Sequence, residues 1–422
     1  MLKYLIEFIL FFSILFSLPS CERTAFSTDD HSLPIVTIKI DEDYLWSPDS
    51  GLYVIGESEA PGCHPLGNYN LRTEYPAKIK FKIDGETQFS DTVGLRIKGT
   101  CSRHNASKSF GIYWRQEYGT KDLDYPLFQS TPVNEFKRLI IRSATNNASH
   151  LCDEAITAII DGKANLDYQA YRACVLYLNK EYWGLYYIRE MLTPHYFEAH
   201  YGANKDSVDL LKPPEYNPTV DDGSNLAFIN EVLSLAQTDS LNNDVYYDAI
   251  ANLIEIESYI DYIIVNTYIA KYDWPDNNGK WWRDKSTPSL RKWRWVSYDA
   301  DWAFDMDYLN EVSIGNLYGE PFGYSTEESF LLFNHLIKNQ NFKNQFLNRY
   351  MYFINDVFAP ERVESIIMAL QDNISDEYER HQDRWSTLSP TAWDKSVKAL
   401  VEFNEKRNVI MLDIIQTLQH EN

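Results

Sequence analysis

The chain is predicted to be an α+β protein of two lobes, β-rich first and mainly helical afterwards. Three observations predict this. Apolar residues alternate with period two in short runs between residues 35 and 142, the mark of half-buried strands. From about residue 225 they recur at helical spacing instead. A length of 422 residues with 44% hydrophobic and 15% aromatic content suffices for one large unit with a substantial core.

The strands are expected at IVTIKI (35–40), AKIKFKI (77–83), VGLRIKG (93–99), SFGIYW (109–114) and RLIIR (138–142). Gly51, Gly56, Gly62 and Gly67 mark turns between the first of them. LCDEAITAIIDGK (151–163) has helical period, with Gly162 near its end. ACVLYLN (173–179) and KEYWGLYYIRE (180–190) form a hairpin turning near Asn179. Helices follow at 225–236 and 253–270, then a return to strand within 290–304, where Trp293 and Trp295 share a face. Residues 325–420 are mostly helical. The lobes divide near residue 192: a β-rich lobe over 34–192 and a helical lobe over 193–422.

The first twenty residues read as a secretory leader: Lys3, then a mainly apolar run from Leu5 to Leu18. Leu18-Pro19-Ser20-Cys21 resembles a bacterial lipobox, in which cleavage precedes a lipidated cysteine. The expectation is a signal peptide at 1–20, a polar tether at 21–33, and a 34–422 domain held to the membrane through Cys21. That places the protein in the bacterial cell envelope as a membrane-anchored lipoprotein. Cys63, Cys101, Cys152 and Cys174 allow three disulfide pairings, or remain as buried thiols. None forms C-x-x-C, which argues against a zinc ribbon.

A formal charge of −22 repels phosphate backbones, so nucleic acid is not expected as a partner. Acidic clusters can still hold divalent cations, and a nucleotide through them. KYDWPDNNGKWWRD (271–284) sets Asp273 and Asn278 five residues apart after a buried helix. A protein-kinase catalytic loop uses an Asp and an Asn at that separation, the first as acid–base and the second as metal ligand. YDADWAFD follows, where Asp299 or Asp301 could bridge a metal to phosphates. The two acidic clusters are expected to meet in space. Trp281, Trp282, Trp293 and Trp295 would form an apolar floor beneath them. Other chemistries fail on spacing. DADWAFDMDYLN lacks the Gly and Glu of an EF-hand, and HYFEAH (195–200) is not H-E-x-x-H. There is no G-x-S-x-G, no Walker A pattern and no G-x-G-x-x-G, so an orthodox kinase is excluded. GLRIKGTCSRHNASKSFGIYW (94–114) concentrates Arg96, Lys98, Arg103 and Lys108 in a strand–loop–strand that could grip a triphosphate.

GLRIKGTCSRHNASKSFGIYW, VLYLNKEYWGLYYIRE (175–190), VDLLK (208–212), DWPDNNGKWWRD and WRWVSYDADWAF (293–304) occur in order over roughly residues 34–310. Together they resemble the CotH kinase family. The resemblance implies an atypical protein-kinase-like bilobal fold that uses ATP with Mg2+ or Mn2+ to phosphorylate Ser or Thr of a protein substrate. It implies Asp273 as catalytic acid–base, and Asn278, Asp299 and Asp301 as metal ligands. Lys108 would contact phosphate, with Arg96 and Arg103 as helpers, and Glu190 and Lys212 match family positions among the nucleotide-binding residues. Glu154 could pair with Lys108. The chain has Tyr298 before Asp299, and Asp305 rather than Gly after Phe304, so the backbone there is less free to turn. The alternative is a non-catalytic surface lipoprotein that binds glycans on its tryptophans or serves envelope assembly.

Overall fold

The computed structural model describes residues 31–55, 67–238, 243–323 and 325–420. The leader, Cys21 and Cys63 lie outside these residues. From His31 onward the chain is one compact unit.

The first half builds a barrel. Its strands are β1 (Ile35–Ile40), β2 (Tyr75–Ile83), β3 (Glu86–Lys98) and β4 (Ser109–Tyr113). A two-residue pair, β5 (Leu123–Asp124) and β6 (Glu135–Phe136), stands apart, and β7 (Arg138–Ser143), β8 (Tyr171–Leu178) and β9 (Glu181–Glu190) complete the wall. The order around the barrel is β1-β2-β3-β4-β7-β9-β8, closed where β1 runs parallel to β8. The predicted alternation fills the interior: Ile38, Ile79, Phe81, Val93, Leu95, Ile97, Phe110, Ile112 and Ile141 form one buried cluster. In a barrel this small the side chains leave no channel. The β8–β9 turn is Asn179–Lys180, both with positive φ (48° and 73°), as a two-residue hairpin turn requires.

The second half is not purely helical. Beyond β10 (Val208–Lys212) and β11 (Thr219–Asp222), β12 (Lys280–Asp284) and β13 (Arg294–Val296) complete a four-stranded sheet of order β11-β10-β12-β13. KWWRD comes directly after the turn residues of the Asp/Asn loop, yet it pairs on both edges. Aromatic residues suit a strand buried on both faces, and burial overrides the local turn signal. The strand also divides the expected tryptophan floor. Successive side chains point to opposite faces, so Trp281 joins Trp293 and Trp295 in the main core while Trp282 packs on Phe197 in a separate cluster. All four are buried. They offer no face on which a sugar could stack.

Helix Ile256–Tyr268 is buried from Ser258 to its last residue. It is framed by Gln340–Tyr352; two further long helices, Pro360–Trp385 and Pro390–His420, pack on each other. The first of these also lies against β9 and helix Cys152–Ile160. Cys152 and Cys174 are free and buried, whereas Cys101 is disulfide-bonded. Among the described residues no helix is long and apolar enough to cross a membrane.

One buried acid ties the sheet to the core. Glu215, in the β10–β11 connection, accepts a hydrogen bond from the Tyr259 hydroxyl at 3.3 Å. Burial pushes its carboxyl up to about 8, against 4.5 for an exposed Glu. A raised acid stabilises the fold fully below its unfolded value, and that contribution is lost as pH climbs through the folded value. Native stability should therefore fall between about pH 4.5 and 8, on the order of 1 kcal/mol per pH unit. Glu215→Gln should remove that decline, so urea unfolding at pH 5 and pH 8.5 would show a smaller difference in the variant. An equal decline in both proteins would exclude Glu215 as its source.

Candidate active site

Two loops zip together at the end of the buried helix Ile256–Tyr268. Phe304 N–H donates to Ile269 O at 3.0 Å, and Tyr272 N–H donates to Trp302 O at 3.0 Å. The loop after the helix therefore lies beside the loop after β13, and Asp273 comes to face Asp299. The start of helix Cys152–Ile160 clasps the second loop. Asp153 Oδ1 accepts from Ala300 N–H at 3.0 Å, the Cys152 thiol donates to Ala300 O at 3.1 Å, and Asn147 Nδ2 donates to Asp301 O at 2.8 Å.

The backbone is strained here. Ala270, Asn278, Asp299 and Phe304 all have φ between 47° and 57°. Asn and Asp tolerate the left-handed region, while Ala and Phe adopt it at a cost of roughly 1 kcal/mol or more. Phe304 makes the turn for which no glycine was available.

Three carboxylates converge: one oxygen each from Asp153, Asp299 and Asp301 lies within 4.8 Å of the others. Arg142, at the end of β7, reaches into the group. Its Nη2 is 3.0 Å from Asp299 Oδ1, 3.9 Å from Asp153 Oδ2, and ion-paired with Asp301. Arg189 on β9 ion-pairs with Asp153 and stands 3.4 Å from Glu154. Lys271 Nζ cross-links the loops by donating to Asn278 O at 2.7 Å and Tyr298 O at 2.6 Å. Asn278 Nδ2 donates to Asp273 Oδ2. Asp273 is 5% exposed, and its Oδ1 has no hydrogen-bond partner among the described residues.

The electrostatics follow from burial and from this crowding. Burial pushes the Asp301 carboxyl up to about 6, with Asp299 adding to the effect and Arg142 opposing it. Burial also raises Glu154, to about 7. It works against ionised Asp153 too, but Arg189 and Arg142 outweigh it and hold that carboxyl below the usual range. Asp273 is raised by burial and by Asp299, with Lys271 opposing. Burial lowers Lys271, and Asp273, Asp299, Asp153 and Asp301 all oppose the shift. A single ammonium thus senses all four aspartates.

A second cationic group lies alongside. Lys280 on β12 ion-pairs with Asp221, and Lys212 stands 3.7 Å from the same carboxylate. Lys98 leaves the barrel at the end of β3, and burial, with Lys280 nearby, pushes its amine down to about 8. Lys280 Nζ lies 5.1 Å from the centre of the Tyr298 ring, one residue before Asp299.

The CotH kinase protein family matches residues 95–411, which takes in the barrel from the end of β3 onward, both loops and most of the last helix. The chain belongs to the CotH kinase family. Its architecture of a strand-rich first lobe and a helical second lobe is accordingly that of an atypical protein kinase. A solved structure of the Helicobacter pylori proinflammatory kinase CtkA is similar at 11% identity. The TM-score is 0.35, with 73% of this chain and 93% of that chain covered. No curated protein matches the chain.

The other residues singled out from CotH motifs fall elsewhere. Lys108 is buried, but its Nζ donates to Arg103 O at 2.5 Å and Asn105 O at 3.0 Å and lies over the Tyr69 ring. It therefore braces its own loop. Glu154 was expected to pair with it and pairs instead with Arg189, because the first turn of its helix faces β9. Arg96 is held by Glu74 at 2.6 Å on the outer barrel wall, and Arg103 donates to Gly99 O. Glu190 accepts from Ala170 N–H at 2.9 Å and His200 Nε2 at 2.6 Å, which fixes the end of β9.

Sequence reasoning missed Arg142, Asp153, Arg189 and Lys271. Lys271 opened the motif itself. Asp153 and Glu154 carried a signal: charges in the first turn of an otherwise apolar helix are seldom buried without partners.

Proposed function

We propose that this CotH-family chain is an envelope-anchored protein kinase that transfers the ATP γ-phosphoryl group to Ser or Thr of a secreted or surface protein, with Mg2+ or Mn2+. Attachment through Cys21 belongs to this proposal. The observation that carries it is the zipping of the Asp273 loop onto the loop of Asp299 and Asp301, cross-linked by Lys271. All-oxygen carboxylate donors suit Mg2+ or Mn2+. The unpartnered Asp273 Oδ1 and the three close carboxylates fit such an ion. Asp299 and Asp301 would hold it, with Asn278 near a second position. When bound, the metal neutralises charge on the phosphates.

The chain's own residues supply the rest. Asp273, raised by burial, would accept the proton of the attacking hydroxyl, and Asn278 orients it by donating to Oδ2. Lys280 and Arg142 are better placed than Lys108 to meet phosphate oxygens, because Arg142 pairs with Asp299 and Lys280 lies over the ring of the adjacent Tyr298, while Lys108 is turned into its own loop.

Calorimetric titration of the purified chain with ATP, with and without Mg2+, tests the reading. Nucleotide binding is expected only with the divalent ion, and γ-labelled ATP should then label the chain or an added acceptor protein. Metal-independent binding, or none, would count against it.

A further inference from the structure

We infer that Asp153, on helix Cys152–Ile160, is a third carboxylate ligand of the metal position formed with Asp299 and Asp301, and that Arg142 occupies this position as a resident counter-ion until the ion enters. This rests on the kinase reading and deepens it, since the catalytic loop and the YDAD loop alone would leave the site with donors from the helical lobe only.

The geometry carries the assignment. Mg2+ or Mn2+ at about 2.1 Å from each oxygen places ligand oxygens roughly 3–4 Å apart. The three oxygens already lie within 4.8 Å of one another, so a small inward movement completes one face of an octahedron. Asp153 is fixed for this role on two sides. Ala300 N–H holds one oxygen at 3.0 Å, and Arg189 holds the other. Each carboxylate oxygen keeps a lone pair. Ligands are commonly oriented by neighbours of this kind.

A second observation points to a missing cation. Asp273 is 5% exposed and leaves Oδ1 without a partner among the described residues, in the loop that zips onto the Asp299 loop. Arg142 satisfies Asp299 and Asp301 through one nitrogen, yet no contact to Asp273 is formed. A guanidinium is a planar donor that cannot serve the three converging carboxylates and Asp273 at once. A compact dication can approach them more evenly. The site would thus be built from both lobes: Arg142 and Asp153 arrive with the barrel, and Asp299 and Asp301 with the sheet. Arg142 and the ion would compete for the same oxygens.

Binding of Mn2+ alone to the full chain tests this, read by loss of the free-ion electron paramagnetic resonance signal and without any kinase assay. Asp153→Asn and Asp299→Asn should each weaken binding at least tenfold. Arg142→Met should tighten it several-fold, because the ion then displaces nothing. Wild-type affinity in folded Asp153→Asn, with Asp299→Asn weakened, would overturn the inference and leave the kinase reading standing. Wild-type affinity in both would overturn the two together. If Asp153→Asn fails to fold, Arg142→Met decides: tightening supports the inference, and unchanged or weaker binding ends it.

Discussion

Asp299→Asn is expected to lower the rate of phosphoryl transfer by at least ~10²–10³-fold while leaving the fold intact. The size follows from what one preorganised charged group contributes where charge develops in a transition state. Asn is the substitution to choose because Asp299 has φ 53°. Asn tolerates that conformation, whereas Ala would add strain to the loss of charge and confuse the two effects. Arg142 keeps Asp301 as a partner in the variant, so the clamp between barrel and loop survives. Initial rates of labelling from γ-labelled ATP, beside thermal unfolding of the same sample, check both halves. Labelling at the wild-type rate would remove Asp299 from the mechanism. Loss of labelling together with a large drop in unfolding temperature would show that the carboxylate mainly holds the loop.

Much of this site was legible because it is local in sequence. Asp273 and Asn278 sit in one turn, and Asp299 and Asp301 sit in one tetrapeptide. What brings the pairs together is long-range: the Phe304–Ile269 and Tyr272–Trp302 backbone bonds, which no spacing predicts. Barrel strands β1, β2 and β7 could be read because each buries one face and so alternates. β12 could not, because it is buried on both faces and begins directly after the turn signals of the Asp/Asn loop. Arg142 and Lys108 show the same limit from the other side. Both are basic residues near the ends of barrel strands, and only Lys108 stood in a recognisable motif. Lys108 finds carbonyl partners within its own loop, five and three residues back. Arg142 finds carboxylates more than 150 residues away, and only the closed barrel and the helix behind it dictate which way it points.

Arg407→Met is expected to destabilise the chain by about 3–5 kcal/mol, more than any single surface change could. Arg407 lies in the last helix, the part of the chain whose role was least readable from motifs. Its guanidinium is fully buried. It donates to Tyr268 O at 3.0 Å and Thr267 O at 2.8 Å, the end of the helix that leads into Lys271 and Asp273. It also donates to Leu309 O at 2.6 Å and Glu311 O at 2.9 Å, in the segment that follows Asp301. A positive charge at a helix C-terminus is favoured by the aligned carbonyls, and here it also meets their unsatisfied lone pairs. Met keeps the apolar stem, takes a donor from the buried Tyr268 and Thr267 carbonyls, and leaves those of Leu309 and Glu311 to water. Because one side chain joins both loops, the loss should reach the site. Urea unfolding would report the stability, and Mn2+ affinity below the unfolding transition should fall even in the folded fraction. Arg407→Lys should recover only part of both, since an ammonium has three donors and lacks the planar fork. A stability loss under 1 kcal/mol would mean that water already serves these carbonyls, and unchanged metal affinity in a destabilised variant would confine Arg407 to holding the helices together.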